Sequence, residues 1–348
     1  MPELTYRQPG LVLSAGSASA SPQQIKDLQR DLRRLGYLRA GVDGVFGTGT
    51  TLAVLALQHD LLHNDGSSRQ NDGPAPVRVI DFNRGVADLT GAADQNLVES
   101  ISAMLDAADF PQLPFVDDPV AENQRILAQL RAAPPTVVPA PFLLGILIQE
   151  TNLKHFHEPS GNDEDNFIVV GLDFGSDQNF VVTSRGYGTG QYTLFHHPPA
   201  PGEVTDLMLN VTKNVQRAAA ELRDKFDHFV VGSTPATSAD DRVAEIGPGP
   251  LRPCKFDEGD PRFFTDCRQC FEDAGFQDLV AGTTPLFPGS AQTYQPTPLR
   301  HNFTAYRDVP VRKDIGCDWP YAARRYNGGG MDSYHYQAQV LLNMKALP

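Results

Sequence analysis

The stretch Pro141-Phe-Leu-Leu-Gly-Ile-Leu-Ile-Gln-Glu-Thr-Asn-Leu-Lys-His-Phe156 constrains the fold more than any other. Leu143, Ile146, Leu147 and Glu150 recur at spacings of three and four residues, so a helix carries them on one face. That face is apolar except for Glu150. Such a helix has to be buried, and it then holds one carboxylate near its C-terminal end. Apolar surroundings disfavour a charged carboxylate, which predicts a raised pKa for Glu150, as a general acid requires. A surface glutamate just past the packed stripe satisfies the same spacing.

At 348 residues the chain has room for two or three domains, and 41% apolar content is ordinary for a globular protein. The formal net charge of −13 argues against nucleic acid as a partner, because that affinity is built on Lys and Arg contacts to phosphate. Met1 to Gln8 shows no basic region followed by an apolar core, so no cleavable signal peptide is expected. The longest apolar run, Phe142 to Ile148, falls far short of the ~20 residues a membrane span needs. A soluble protein without a membrane anchor is expected.

A Ser/Ala/Gly-rich lead-in over residues 1–20 precedes Ser21-Pro22, which offers an N-cap and a first-turn proline. A helix carrying Ile25, Leu28, Leu32 and Leu35 on one side should follow and stop at Gly36. A turn at Asp43-Gly44 leads to a second helix over Thr50 to His59. The residues Leu28-Gln29, Leu32, Leu35-Gly36-Tyr37, Asp43-Gly44-Val45-Phe46-Gly47, Thr50, Ala53-Val54 and Gln58 resemble the three-helix peptidoglycan-binding domain of cell-wall hydrolases. The resemblance covers about residues 20–66. It implies wall glycan as a partner, while most of the matching residues serve the fold.

Residues 64–76 read as a polar linker punctuated by Gly and Pro, separating the binding module from the rest of the chain. Val77 to Phe82 suggests a short strand. Asp94 to Ala108 and Val120 to Ala132 read as amphipathic helices, and Pro134-Pro135 ends the second. Residues 77–135 therefore form a helical connector in this reading. Asn162-Asp-Glu-Asp-Asn166 is dense in oxygen ligands but lacks the glycine and final glutamate of an EF-hand loop, which favours a solvated acidic turn.

Phe167 to Phe174 and Asn179 to Thr183 predict a β-hairpin. It leads into Ser184-Arg-Gly-Tyr-Gly-Thr-Gly-Gln-Tyr-Thr193, where glycines at alternate positions predict a loop that ligand approaches closely. Near the C-terminus, Tyr326-Asn327 ends a helix before three glycines, and a last helix spans Tyr334 to Met344. Glu150-Thr151, Gly188-Thr-Gly-Gln191, Tyr326-Asn-Gly-Gly329 and Tyr336 to Val340, in this order, resemble the lysozyme-like superfamily in its soluble lytic transglycosylase and goose-type lysozyme branch. The resemblance covers about residues 136–348. Thr151 replaces the usual serine, and an insertion over roughly 232–318 parts the second motif from the third. The expected fold class is mainly α (α+β). A small three-helix bundle precedes a lysozyme-like helical domain with a short hairpin and an irregular insertion.

The Pro/Gly-rich insertion holds Cys254, Cys267, Cys270 and Cys317. Disulfides are favoured, because the implied substrate lies in an oxidising compartment. A four-cysteine zinc site lacks its second Cys-x-x-Cys pair, and no thioredoxin-like pattern surrounds Cys267 and Cys270. His155, His157, His196 and His197 flank the two central motifs. Without a His-Glu-x-x-His helix they read as polar groups on a cleft rim, and neither metal nor cofactor is expected.

The resemblance implies cleavage of the β-1,4 bond between N-acetylmuramic acid and N-acetylglucosamine. Glu150 would be the general acid, with Gly188, Gln191 and Tyr192 on the sugar and Tyr326 and Asn327 lining the cleft. An inverting hydrolase needs a second carboxylate about 6.5–9.5 Å away, for which Asp173 is the first choice beside Asp165 and Asp177. A wall-binding protein without activity is the alternative. Action in the periplasm, wall or exterior without a signal peptide suggests a phage lysin or an exported effector. A secretion machine or an immunity protein is then a candidate partner.

Overall fold

The computed structural model describes residues 5–17, 20–39, 41–67, 77–135, 137–231, 254, 262, 267–295 and 305–347. Most of the linker reading, over 68–76, and the larger part of the insertion reading lie outside these residues. The chain divides into two compact units, Met1–Ala128 with Lys154–Asn214 and Gln129–Leu153 with Val215–Pro348. Helices dominate, and the described residues form two small antiparallel sheets.

In the first unit, α1 (Pro22–Arg34) starts as its sequence dictates. Ser21 Oγ accepts from Gln24 N–H, the Gln24 side chain accepts from Ser21 N–H, and Pro22 fills the first turn. The second helix, α2, spans Thr48–His63, so it begins two residues before Thr50 and runs one turn past His59. Next, α3 (Gln95–Asp106) is capped by Asp94, whose carboxylate accepts from Leu97 N–H. Leu28 and Leu32 of α1, Val54, Leu57 and Leu61 of α2, and Leu97, Ile101 and Met104 of α3 share one buried cluster. Residues 77–135, expected as a connector, thus contribute α3 to the core of the N-terminal helices. Among the described residues, α1 and α2 are the helices that fall within the stretch expected as a three-helix bundle. Val79–Phe82 forms a 3₁₀ turn where a strand was expected, and α4 covers Pro119–Ala132.

The hairpin of the first unit is a three-stranded sheet in the order β1 (Val170–Phe174), β2 (Val182–Tyr187), β3 (Tyr192–Leu194). Its second strand starts three residues later than expected and runs into the glycine motif, so the predicted ligand loop is in part the central strand. Gly186 pairs with Gly171 across the β1–β2 ladder. A Cβ at either position would collide with Gln191 Oε1, at 2.4 Å from Gly171 and 2.8 Å from Gly186. The two glycines vacate space for the Gln191 side chain, which explains glycine in a strand at an entropic cost.

In the second unit, α5 spans Ala140–Thr151 and stops five residues short of the expected Phe156. Asn152 and Leu153 adopt left-handed conformations (φ 54° and 62°), and their N–H groups return to Ile148 O and Leu147 O. This is a Schellman-type ending built without glycine. The unit also contains the greater part of α6 (Val211–Phe226), α7 (Cys267–Glu272), the β4 (Phe276–Val280) and β5 (Ala305–Pro310) pair, α8 (Trp319–Tyr326) and α9 (Met331–Lys345). The insertion, expected to be irregular, supplies α7 and both of these strands. Phe226 of α6 stacks on Trp319 of α8 with ring centroids 4.0 Å apart. The core of the unit is α5 packed along α9.

Candidate functional site

Gly145 sets how closely α5 meets α9. A Cβ there would stand 2.8 Å from Met344 Cγ and 3.0 Å from Val340 O, and Asn343 Nδ2 donates to Gly145 O at 3.2 Å. One turn on, the same contact brings Tyr336 to Glu150, whose Oε1 accepts from the tyrosine hydroxyl at 2.5 Å. Four residues along α9, from Val340 to Tyr336, thus run beside five along α5, from Gly145 to Glu150. Leu143, Ile146 and Leu147 are buried as the sequence predicts, while Glu150 is only half-buried at the end of their stripe.

Tyr326, the last residue of α8, lies parallel to Tyr336, with ring centroids 6.4 Å apart and planes at 17°. Burial first, and then the Glu150 charge, holds both hydroxyls well above the ordinary tyrosine pKa. Tyr336 therefore remains a donor at any working pH. The charge of Glu221 on α6 adds to the same effect on both tyrosines. Sequence reasoning missed Glu221, which is exposed and paired with Lys225 at 3.2 Å. The amphipathic pattern of α6 does not separate it from the other surface acids. Asn327, exposed, caps α8 by donating its N–H to Arg324 O.

Gly188, Gln191, Tyr192 and Asp173 belong to the first unit. Gln191 (φ 46°) folds its side chain over the Gly171–Gly186 pair and donates Nε2–H to Gly188 O at 2.9 Å. Gly188 (φ 67°) makes room for His155, whose ring carbon Cε1 would lie 2.3 Å from a Cβ at that position. Tyr192 opens β3 opposite Tyr187. Asp173, exposed on β1, accepts from Ser184 Oγ at 2.7 Å, and Asp177 lies exposed in the β1–β2 turn. Asp165 is engaged elsewhere: it accepts from Arg33 Nη2 at 2.6 Å and Arg33 Nε at 2.9 Å, with both side chains buried. Its neighbours in the acidic turn are likewise tied down, Asp163 by Val42 N–H and Glu164 by Lys26 and Arg30, so the turn is a seam onto α1 and not a solvated loop.

His155, His196 and His197 are interior groups, not a rim, whereas His157 is partly exposed. His155 accepts from Thr189 N–H at Nδ1 and donates Nε2–H to Met208 O at 2.6 Å. Burial pushes its pKa down to about 4, so the ring is neutral. His196 and His197 are also buried, and His196 Nε2 meets Glu203 at 3.0 Å. No group of three or more His, Cys, Asp or Glu side chains able to hold a metal occurs among the described residues.

The N-terminal motif residues form a hydrogen-bonded knot. Gln29, buried, donates to Asp43 Oδ1, Val45 O and Thr50 Oγ1 and accepts from Gly44 N–H. Tyr37 donates to Asp60 at 2.9 Å, and Gln58 ties α2 to Thr90, Gly91 and Ala92. Residues 21–61 match the peptidoglycan binding domain family. Neither curated proteins nor solved structures gave a significant match to the chain. Peptidoglycan is therefore the partner that the peptidoglycan-binding domain supports, and association with the cell wall or periplasm is the location that fits it. No helix among the described residues is long and apolar enough to cross a membrane.

Outside that domain, Cys270 and Cys317 are unlinked thiols, and burial pushes Cys317 up to about 12, with smaller contributions from Cys254 and Cys270. The side chain of Cys267 lies outside the described residues.

Proposed function

We propose that the chain is a peptidoglycan hydrolase that cleaves the β-1,4 bond between N-acetylmuramic acid and N-acetylglucosamine, with Glu150 as general acid. The observation that carries this reading is the Glu150 carboxyl at the end of a buried helix, held by Tyr336 beside Tyr326, in a chain with a peptidoglycan-binding domain. Protonated Glu150 gives its proton to the leaving oxygen as the muramyl C1–O bond breaks and oxocarbenium character grows. The Tyr336 hydroxyl then stabilises the carboxylate left behind. Water or the muramyl 6-hydroxyl captures C1, and its proton returns to Glu150. In this reading Tyr326 and Asn327, of the same unit, are the residues that meet the sugar, which the stacking of Tyr326 beside Tyr336 supports.

Glu150→Gln tests the reading, because the amide keeps the shape and cannot give up a proton. Purified sacculi treated with the wild type should release muropeptides whose ends, reducing or anhydro, report water or the 6-hydroxyl as acceptor. The variant should release on the order of 100-fold less while keeping its far-UV spectrum. Equal release by both would remove Glu150 from the chemistry. The competing reading, a wall-binding protein without activity, is favoured by Gln191 being turned onto its own sheet. It predicts binding to sacculi without any release.

A further inference from the structure

In the second unit a cavity of about 320 Å³ opens between the β4–β5 pair, residues 284–294 and α9. Leu279, Leu286, Phe287 and Leu341 give it an apolar wall, and Thr284 and Gln337 add groups able to hydrogen-bond. Arg312 and Lys313 stand at its edge, and none of the described residues lining it is acidic. The Arg312 guanidinium is steadied over the Tyr321 ring, 5.1 Å from its centroid. The volume is at the small end of ligand pockets, enough for a few aliphatic residues.

The same helix serves this cavity and Glu150. Gln337, Ala338 and Leu341 of α9 line the cavity, while Tyr336 and Val340 face α5. A ligand that needs this site carries small apolar groups and free carboxylates. The polymer that the N-terminal domain recognises bears short peptides of that chemistry on its muramyl residues. We infer that the cavity is a subsite for the peptidoglycan stem peptide, with Arg312 and Lys313 on its carboxylates. This inference rests on the wall-hydrolase reading and gives that reading a second contact with substrate. A bound peptide would press on the helix that carries Tyr336.

Calorimetric titration of the full chain with a soluble stem tripeptide tests it, in parallel with the same peptide amidated at its carboxylates. The free acid should bind saturably, and the amidated form about tenfold or more weakly, as loss of a charge-assisted contact requires. Lys313→Gln alters an exposed residue, so its fold is safe, and it too should weaken binding about tenfold. Arg312→Gln should do the same, and if it fails to fold the Lys313 variant decides. No saturable binding, equal binding of the amidated peptide, or wild-type affinity in the Lys313 variant would each overturn the inference. Glu150→Gln should bind the tripeptide as the wild type does. Cleavage of peptide-free glycan strands without tripeptide binding sinks the subsite alone. Tripeptide binding without any cleavage sinks the hydrolase reading alone.

Discussion

Burial sets the pH behaviour of two histidines of the first unit. His155 is fully buried, with both ring nitrogens bonded, and its pKa falls from 6.5 to about 4. The unfolded chain binds a proton at 6.5 that the folded chain refuses until about pH 4. Folding is therefore fully supported above 6.5 and loses support as pH falls through that window. His157, lowered to about 4 by burial and then by Arg33, acts in the same direction. A buried His155 alone contributes roughly 3 kcal/mol across the window. Two-dimensional NMR should show the His155 ring neutral through pH 6, and urea midpoints should fall as pH drops from 6.5 towards 4. A His155 titration near 6.5 in the folded protein would contradict this account. Sequence alone gave no sign of it. The same imidazole, written five residues after Glu150, reads equally well as a rim residue, and only the 2.3 Å approach at Gly188 shows why that glycine is there.

At the scale of elements, the contact of α5 with α9 carries both the core and the candidate site. Gly145→Ala sets two effects against each other. Alanine improves helix propensity by about 1 kcal/mol. The new methyl, however, meets Val340 O, which is backbone, at 3.0 Å and Met344 Cγ at 2.8 Å, and overpacking of this kind costs ~1–3 kcal/mol. Packing should win, so the melting temperature falls. Pushing α9 away also lengthens the bond from Tyr336 to Glu150, so muropeptide release should drop along with the melting temperature. An unchanged or higher melting temperature would mean that α9 shifts without strain.

Much of this layer was legible. Ser21-Pro22 announced the α1 cap, and Leu143, Ile146 and Leu147 announced the face that α5 buries. The end of α5 was not read from the sequence, because it is stopped without glycine, by Asn152, which tolerates positive φ, followed by Leu153, which rarely adopts it. Nor was the part of β2 beyond Thr183, since Gly186 looks like a strand breaker until Gln191 is seen to occupy the space of its missing side chain.

On the scale of the whole molecule, the chain does not run as beads on a string. It enters the second unit at Gln129, leaves after Leu153 and returns at Val215, so Glu150 and Tyr336, 186 residues apart in sequence, come from separate segments. The N-terminal domain is woven in as well. Its family match ends at residue 61, yet Leu97, Val98, Ile101 and Met104 of α3 are buried in the same cluster as Leu28 and Leu57. Deleting residues 1–66 would therefore remove more than a wall anchor. Each of those four side chains gains ~1.5–3 kcal/mol from burial, an upper figure because unfolded chains are partly compact. Together they approach the whole stability of a domain. The truncated protein should be insoluble, or should bind a hydrophobic dye and lose the cooperative transition of the first unit, however well residues 129–153 and 215–348 are made. Binding to sacculi is consequently to be measured with substitutions on the exposed surface of the intact chain. A soluble, cooperatively folded 67–348 fragment that no longer sediments with sacculi would show that α3 holds its place without α1 and α2, and that the linker separates binding from the rest after all.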